Sequence, residues 1–247
     1  MARISIITVV RNGAQDLEET IQSVLVQKNQ VDLDYLIVDG GSTDGTVEII
    51  RRHAEELLFW VSAPDSGIYD AMNKGWAAAS PDSLILFLGS GDMLISLPDG
   101  IGSIGRKDDD VLYGNVWMGE RFLFKGAAGF RLRFYNTLHH QALLVNKRCH
   151  PAPPFNTGFK TYADFDFNQR LMKAGARFIR VPGFVSYARP GGLSDHTCFR
   201  ESLKVTRGNF GVLWAGLAAA AYVALKVFPA LKVLRPIKKV PQGGKDA

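Results

Sequence analysis

The chain has 247 residues, of which 47% are hydrophobic and 21% are charged. This composition suits one α/β domain with a short appendage, and it excludes a disordered or collagen-like chain. The two cysteines, Cys149 and Cys198, form no C-x-x-C pair, which indicates thiols in a reducing compartment rather than a disulfide framework.

The net charge of +5 is concentrated at the C-terminal end. Residues 202–247 contain eight Lys or Arg and one Asp, a net +7, so residues 1–201 carry −2. This distribution argues against a nucleic-acid-binding face on the domain, and we expect no nucleic acid partner. A basic tail is instead typical of a segment that meets an anionic membrane surface.

Strand and helix patterns alternate through about the first 95 residues. Buried strands are predicted at 4–10, 35–38, 57–61 and 84–88, with helices at 16–27, from 43 or 44 onward, and at 67–79. This order predicts parallel strands with helices on both sheet faces. Ligands bind beyond the carboxyl ends of such strands, where the polar loops RNG, DGGSTDG, PDSGIYD and GSGD lie.

The second half is less regular. Residues 111–117 and 121–125 are predicted to form a hairpin, and further elements are expected at 142–145, 164–174 and 178–181. The uncharged run 210–225 is about 16 residues long, shorter than the roughly 20 that a simple membrane span needs. We interpret it as an interfacial or re-entrant helix with a basic flank. The alternative is a soluble helix packed on the domain or on another subunit.

Seven sequence blocks occur in a characteristic order. They are SIITVVRN, YLIVDGGSTDGT, APDSGIYDAMNKGWAAAS, ILFLGSGD, HQALLV, ADFDFNQRL and RPGGLS. Together they resemble the family 2 glycosyltransferases. The resemblance implies an α/β, Rossmann-like GT-A domain, expected over residues 1–205. The apolar and basic composition of residues 206–247 predicts a C-terminal helical, membrane-associating segment. The resemblance also implies sugar transfer from a nucleoside-diphosphate-sugar to an acceptor hydroxyl with inversion.

A donor site is predicted from the first four blocks. Asp39 ends a buried strand and can accept the imide N–H of a base, and glycine at position 41 lets the backbone approach a ligand. The block at 64–75 begins a helix, whose N-terminus attracts phosphate groups. The full predicted donor set is Val10, Asn12, Asp39, Gly41, Asp65, Gly67, Asn73, Lys74, Ser90 and Asp92. Asp44 is interpreted as a turn and helix cap.

A divalent cation, Mg²⁺ or Mn²⁺, is implied by the resemblance. Enzymes of this fold carry an acidic pair at the GSGD position to hold it against the diphosphate. Gly89 and Gly91 stand where acids are common, so Asp92 is the one metal ligand predicted here. Its alternative role is that of a strand-ending turn residue.

The block ADFDFNQRL implies the catalytic base. Asp164 matches the family's base, although Ala163 replaces the usual preceding glutamate, and a helix cap is its alternative role. Asp166 should face elsewhere on a helix and pair with Arg170. His140 and Gln141 are implied to lie near the acceptor or the diphosphate, whereas His139 is expected to be structural.

Two alternative functions concern features of the same sequence. Residues 100–105 match G-x-G-x-x-G, but no convincing strand precedes them, so a nicotinamide dehydrogenase is not favoured. A catalytically inactive relative that binds nucleotide or a partner is the alternative function. The predicted enzyme uses a UDP-sugar and a lipid-linked or saccharide acceptor for polysaccharide or glycolipid synthesis. It is expected in the cytoplasm, peripheral or monotopic on the inner face of the cell membrane.

Overall fold

The structure is a computed structural model that describes residues 3–104, 110–150, 153–191 and 198–227. The strands are β1 Arg3–Val10, β2 Leu33–Asp39, β3 Phe59–Ser62, β4 Ser83–Gly89, β5 Met93–Ser96, β6 Asp110–Met118, β7 Phe122–Lys125, β8 Leu143–Asn146 and β9 Arg177–Ala188. The helices are α1 Leu17–Leu25, α2 Thr46–Arg52, α3 Ile68–Ala78, α4 Ile101–Ile104, α5 Ala163–Lys173, α6 Phe199–Phe210 and α7 Val212–Val227.

The nine strands within the described residues join one mixed sheet in the order β3-β2-β1-β4-β8-β6-β9-β5, with β7 paired to β6. The strands β1 to β4 are mutually parallel, as predicted from the alternation of strands and helices. The short strand β8 runs antiparallel to both β4 and β6 and therefore joins the two halves of the sheet. The carboxyl ends of β1, β2 and β4 consequently share one edge.

Helices cover both faces of the sheet, as expected for buried parallel strands. On one face, Leu17 and Ile21 of α1 and Ile50 of α2 pack with side chains such as Ile6 of β1. On the other face, Met72 and Trp76 of α3 pack with Ile7, and α5 buries its phenylalanines in the same cluster. The alternation of inward side chains along β1 accounts for the two cores.

The second half of the fold follows the predictions in outline. The hairpin is present as β6 and β7, with Met118 opposite Phe122. Strand β9 is longer than predicted, because it pairs along its length with β6 on one side and at its end with β5 on the other. Asp110, at the start of β6, is held by two bonds from Arg177 at the start of β9.

Residues 198–227, the last described part of the chain, form two helices. Gly211, with φ +92°, separates α6 from α7, and its N–H donates to the carbonyl of Arg207. Val205 and Thr206 are buried against α5, so the predicted boundary at residue 205 falls inside α6. The domain boundary itself stays a prediction. Over the residues described, no helix combines the length and the apolar character needed to cross a membrane.

Candidate active site

A cavity of about 460 Å³ opens at the carboxyl edge of the sheet, where β1 and β4 end. Six of the predicted site residues line it: Val10, Ser90, Asp92, His140, Gln141 and Asp164. They come from four separate segments of the sequence. The fold therefore brings the predicted base, the predicted metal ligand and the predicted acceptor residues to one enclosed space.

Asp92 lies at the floor of this cavity and is buried. Its Oδ2 accepts the N–H of Gly89 at 2.8 Å and the amide of Gln141 at 3.2 Å, while its Oδ1 accepts the N–H of Arg189 at 3.0 Å. Burial raises the pKa of Asp92 above its ordinary value, opposed by the nearby His140. The carboxyl thus ties the end of β4 to β9 and leaves one lone pair of Oδ1 for a further ligand.

Two buried polar atoms in the cavity wall have no hydrogen-bond partner within the described part of the chain. They are Nδ1 of His140 and Oε1 of Gln141. Buried polar atoms are almost always paired, so unpaired ones beside Asp92 and Asp164 point to groups that a bound molecule supplies. Nδ1 of His140 lies 3.7 Å from Oδ2 of Asp164, which is too long for a hydrogen bond. Both groups can therefore contact one atom of a bound ligand.

Asp164 is the second residue of α5 and faces the cavity with 13% of its side chain exposed. Its Oδ1 accepts the N–H of Phe165, the next residue of the helix, and its Oδ2 accepts the amide of Asn136 at 3.0 Å. Asn136 is in turn bonded by Asn168 on the next turn of the helix. The carboxyl is therefore fixed in orientation while part of it remains open to the cavity.

Asp166 points away from the cavity, as the helical spacing predicted. Its Oδ2 accepts from Nε of Arg170 at 2.8 Å, and its Oδ1 accepts the amide of Asn209 from α6. This carboxyl holds α6 against α5 and has no contact with the cavity lining. The two acids of the block thus have separate surroundings and separate tasks.

Asp39 is fully buried at the end of β2 and shapes the loop that follows. Its carboxyl accepts the N–H groups of Gly41 and Ser42 and the hydroxyls of Ser42 and Ser62. Asn12, with φ +52°, accepts the N–H of Thr43 and so joins the loops after β1 and β2. Base recognition by Asp39 and Asn12 stays a prediction, because both side chains hold backbone in this arrangement.

Asp44 has the structural role that was predicted for it. Its Oδ1 accepts the N–H and the hydroxyl of Thr46 at the start of α2, and its Oδ2 accepts the N–H of Ala14. The hydrogen bond from the Thr46 side chain is the main cause that lowers the pKa of Asp44. The residue therefore belongs to the scaffold of the loop.

Asp65 occupies the space beside Gly40. A Cβ added at position 40 would overlap the carboxyl of Asp65, which also accepts the N–H of Gly67 at 3.0 Å. Gly67 has φ +130°, a conformation that side chains disfavour, and it leads directly into α3. Lys74 lies on α3 and bonds Asp70 at 3.1 Å and the carbonyl of Pro64. These residues sit beside the cavity rather than in its lining.

Asn73 joins α3 to the loop before α5 instead of facing the cavity. Its amide donates to the carbonyl of Phe155 at 2.9 Å and accepts the N–H of Phe155 at 3.0 Å. The hydroxyl of Tyr69 makes a parallel tie to the carbonyl of Thr161 at 2.7 Å. Burial raises the pKa of Tyr69, so this phenol stays protonated. A donor role for Asn73 stays a prediction.

Three arginines at the cavity were not singled out from the sequence: Arg11, Arg121 and Arg189. Arg189 follows β9, and its guanidinium bonds Asp16 at 2.8 Å. The block RPGGLS contains Arg189, but nothing local in that block shows that it meets the GSGD loop. Asn136 was missed for the same reason, because its contact with Asp164 joins residues 28 positions apart.

The fit of a divalent cation can be judged from these contacts. Among the residues described, no group of three or more His, Cys, Asp or Glu side chains is placed to hold a metal ion. Asp92 offers one oxygen, and the unpaired Oε1 of Gln141 lies in the same wall. Mg²⁺ and similar cations are often held by one or two protein oxygens together with substrate phosphates. The residues fit that mode.

Comparisons with known proteins decide the family. The model of Glycosyl transferase family 2 matches residues 5–150. A PGL/p-HBAD biosynthesis glycosyltransferase from Mycobacterium tuberculosis (strain ATCC 25177 / H37Ra) is 34% identical over 212 residues, which cover 81% of this chain and 82% of the relative. The chain belongs to glycosyl transferase family 2. It is therefore a glycosyltransferase, as the sequence blocks implied.

Solved structures confirm the fold of this glycosyltransferase. TarS 1-349 from S. aureus, in complex with UDP-GlcNAc, superposes with a TM-score of 0.60 at 16% identity over 84% of this chain and 65% of that chain. A mannosyltransferase from Pyrobaculum calidifontis, in complex with GDP-Man and Mn²⁺, gives 0.59 at 18% identity over 94% and 78%. The GT-A fold with a helical C-terminal segment is thus the architecture of the chain.

Proposed function

We propose that this glycosyltransferase moves a sugar from a nucleoside-diphosphate-sugar, a UDP-sugar in the first place, to an acceptor hydroxyl with inversion at the anomeric carbon. The observation that carries the proposal is the meeting of Asp164, His140, Gln141 and Asp92 in one cavity at the carboxyl edge of the sheet. The solved TarS chain binds UDP and UDP-GlcNAc and the solved mannosyltransferase binds GDP-Man, which supports a nucleoside-diphosphate-sugar donor.

Asp164 acts as the general base in this proposal. The acceptor hydroxyl passes its proton to Oδ2 of Asp164, its oxygen forms the bond to C1, and the bond from C1 to the diphosphate breaks with the electron pair on the diphosphate. Asn136 keeps the carboxylate in position, since its amide bonds the same oxygen. His140 lies close enough to contact the acceptor hydroxyl at the same time.

The leaving diphosphate meets positive charge from the chain itself. Arg11, Arg121 and Arg189 line the cavity, and guanidinium groups suit phosphate oxygens in charge and shape. A bound Mg²⁺ or Mn²⁺, held by Asp92 and Gln141, would neutralise further charge on the diphosphate. The donor residues at the edge of β2 and β3, Asp39 and Asp65 among them, would take the nucleoside.

The acceptor in this proposal is lipid-linked or a growing saccharide, and the process is polysaccharide or glycolipid assembly. Five of the matched mycobacterial relatives bear the words PGL/p-HBAD biosynthesis in their names, which supports a biosynthetic role of this kind. The basic C-terminal segment favours work at the inner face of the cell membrane. Residues 1–205 then serve catalysis, and residues 206–247 serve attachment.

The test compares two carboxylates on one helix. Asp164→Asn should retain binding of UDP while transfer falls by about 10²–10⁴-fold, because the base is lost. Asp166→Asn is the matched control, since Asp166 bonds Arg170 and Asn209 outside the cavity. Donor binding is measured by thermal shift and transfer by release of UDP from UDP-sugars. Equal turnover by Asp164→Asn and Asp166→Asn would contradict the assignment.

A further inference from the structure

Over residues 212–224 the helix α7 presents an apolar outer face. Between Val212 and Leu225 the chain has no charged residue, and Val212, Leu213, Leu217 and Val223 expose 69%, 73%, 46% and 56% of their surface. At 3.6 residues per turn these four positions span about 140° of the helix circumference, so they lie on one side of it. Surfaces of water-facing helices carry polar side chains, so this face is built to meet something apolar.

The inner face of α7 is firmly seated on the domain. Ala218 is buried, the ring of Tyr222 stacks on Phe199 of α6 with centroids 3.9 Å apart, and Trp214 packs on the turn at 130–134. The guanidinium of Arg133 lies 4.8 Å from the centre of the Trp214 ring. The outer face is therefore held in a fixed orientation relative to the rest of the fold.

An exposed side chain from a second segment of the chain continues this face. Phe130 exposes 62% of its surface, and its ring lies 5.5 Å from that of Trp214, immediately beside Val212 and Leu213 in the chain. We call Phe130, Val212, Leu213, Leu217 and Val223 the apolar platform. The segment that carries Phe130 goes on to Asn136, the residue that bonds Asp164. Phe130 lies six positions before Asn136, so a short segment joins the platform to the residue that holds the base.

Basic residues adjoin the platform in the chain. Arg131 and Arg207 are exposed next to Phe130 and Gly211. Beyond α7, residues 228–247 contain five Lys or Arg and one Asp. An apolar face with a basic border is the pattern of a helix that lies in the interface of an anionic bilayer, with its apolar side chains among the acyl chains.

We propose that the apolar platform inserts into the interfacial region of an anionic bilayer and so places the cavity, with Asp164, at the lipid surface. This deepens the proposed function, on which its meaning for the acceptor rests: the acceptor is a membrane lipid or a short saccharide linked to one. The contribution of Phe130 distinguishes this surface from the C-terminal segment alone. Two separate parts of the chain touch the bilayer.

The experiment measures partitioning of the full chain onto vesicles of phosphatidylglycerol and phosphatidylcholine. A variant with Val212→Ser, Leu213→Ser and Leu217→Ser should bind at least tenfold more weakly than the unsubstituted chain. Phe130→Ser alone should weaken binding by about threefold, since one exposed aromatic ring is removed. The matched control carries Val26→Ser, Leu58→Ser and Ile95→Ser, three exposed apolar residues elsewhere, and should bind within twofold of the unsubstituted chain.

Two outcomes would overturn the platform proposal. Unchanged partitioning of the platform variant would show that charge alone binds the vesicles. A dimer of the unsubstituted chain that the platform variant breaks, without vesicle binding, would show that a second copy covers this face. The thermal shift with UDP is measured on all variants, because a chain that binds vesicles but not UDP would refute the donor proposal and leave the platform intact.

Discussion

The side chain of Arg189 fills the space that a side chain at Gly91 would need. A Cβ at position 91 would lie 2.5 Å from Cδ of Arg189, and the backbone N–H of Arg189 donates to the carboxyl of the next residue, Asp92. Glycine occurs at position 91, where the family often has an acid, because Arg189, 98 positions away in the chain, occupies the space of a side chain. An arginine takes the place beside Asp92 that a second carboxylate would have.

Replacing Gly91 should consequently be costly. Gly91→Ala forces a side chain into a left-handed conformation, φ +92°, and also against Arg189. Gly175→Ala is the matched control, because Gly175 has φ +82° with open space around its Cβ position. We expect the control to lose about 1–2 kcal/mol in free energy of unfolding and Gly91→Ala to lose roughly 1–3 kcal/mol more. Urea denaturation measures both, and equal losses would show that Arg189 moves aside freely.

Substitutions at Gly40 and Asp65 should change the affinity for UDP more than the stability of the fold, and their effects should not add. In Gly40→Ala the new methyl group displaces the carboxyl of Asp65, which is the free end of a side chain and can move. We expect UDP affinity to fall by roughly tenfold, the usual effect of losing one interaction with a charged group, while the melting temperature changes little. Asp65→Ala should lose similar affinity, and Gly40→Ala added to it should have no further effect. Additive losses would contradict the coupling.

Asn136 should influence turnover without influencing donor binding. Asn136→Ala removes the bond to Oδ2 of Asp164, so the base is free to turn, and kcat should fall by roughly tenfold. Asn209→Ala is the control, because Asn209 makes the equivalent bond to Asp166. Its effect should appear in the free energy of unfolding rather than in kcat. A change in the KM for the donor equal to the change in kcat would rule out this positioning role.

The cation dependence of nucleotide binding tests Asp92. We expect UDP to raise the melting temperature more with Mn²⁺ than without it, and Asp92→Asn to abolish the Mn²⁺-dependent part while the arginines retain the rest. Since burial raises the pKa of Asp92, the Mn²⁺-dependent part should weaken as pH is lowered from neutral, when the carboxyl takes up a proton. An identical shift with and without Mn²⁺ in the unsubstituted chain would remove the cation from the proposal.

His139 makes the stability of the fold sensitive to acid. Its ring packs against Phe124 with centroids 4.4 Å apart, and burial lowers its pKa from 6.5 to about 4. The unfolded chain takes up this proton below pH 6.5, whereas the folded chain does so only below about pH 4, so stability falls as pH drops through that window. His139→Gln should remove roughly 1–3 kcal/mol of this dependence, measured by urea denaturation between pH 7 and 4. If His139→Gln left the pH dependence of stability unchanged, His139 would take up its proton equally in the folded and unfolded chains.

The sequence predicted the parts of this fold that depend on local pattern. The parallel strands, the hairpin and the opposite directions of Asp164 and Asp166 all follow from periodicity and helix geometry. It did not predict that β8 would enter between β4 and β6, nor that Arg189 and Asn136 would reach the two acids of the cavity. Those contacts join residues far apart in the chain, and no local pattern records them.

Asn73 shows what such distant contacts mean for motifs. Its side-chain amide bonds both the carbonyl and the N–H of Phe155, as a backbone peptide group of a neighbouring strand would. Aspartate lacks the donor, glutamine is too long by one methylene, and leucine lacks both polar atoms. An asparagine in this block therefore reports the shape of the loop leading to the base. Asn73 belongs to a block that was predicted to bind the donor, and its contacts with Phe155 also hold the donor side of the fold against the acceptor side.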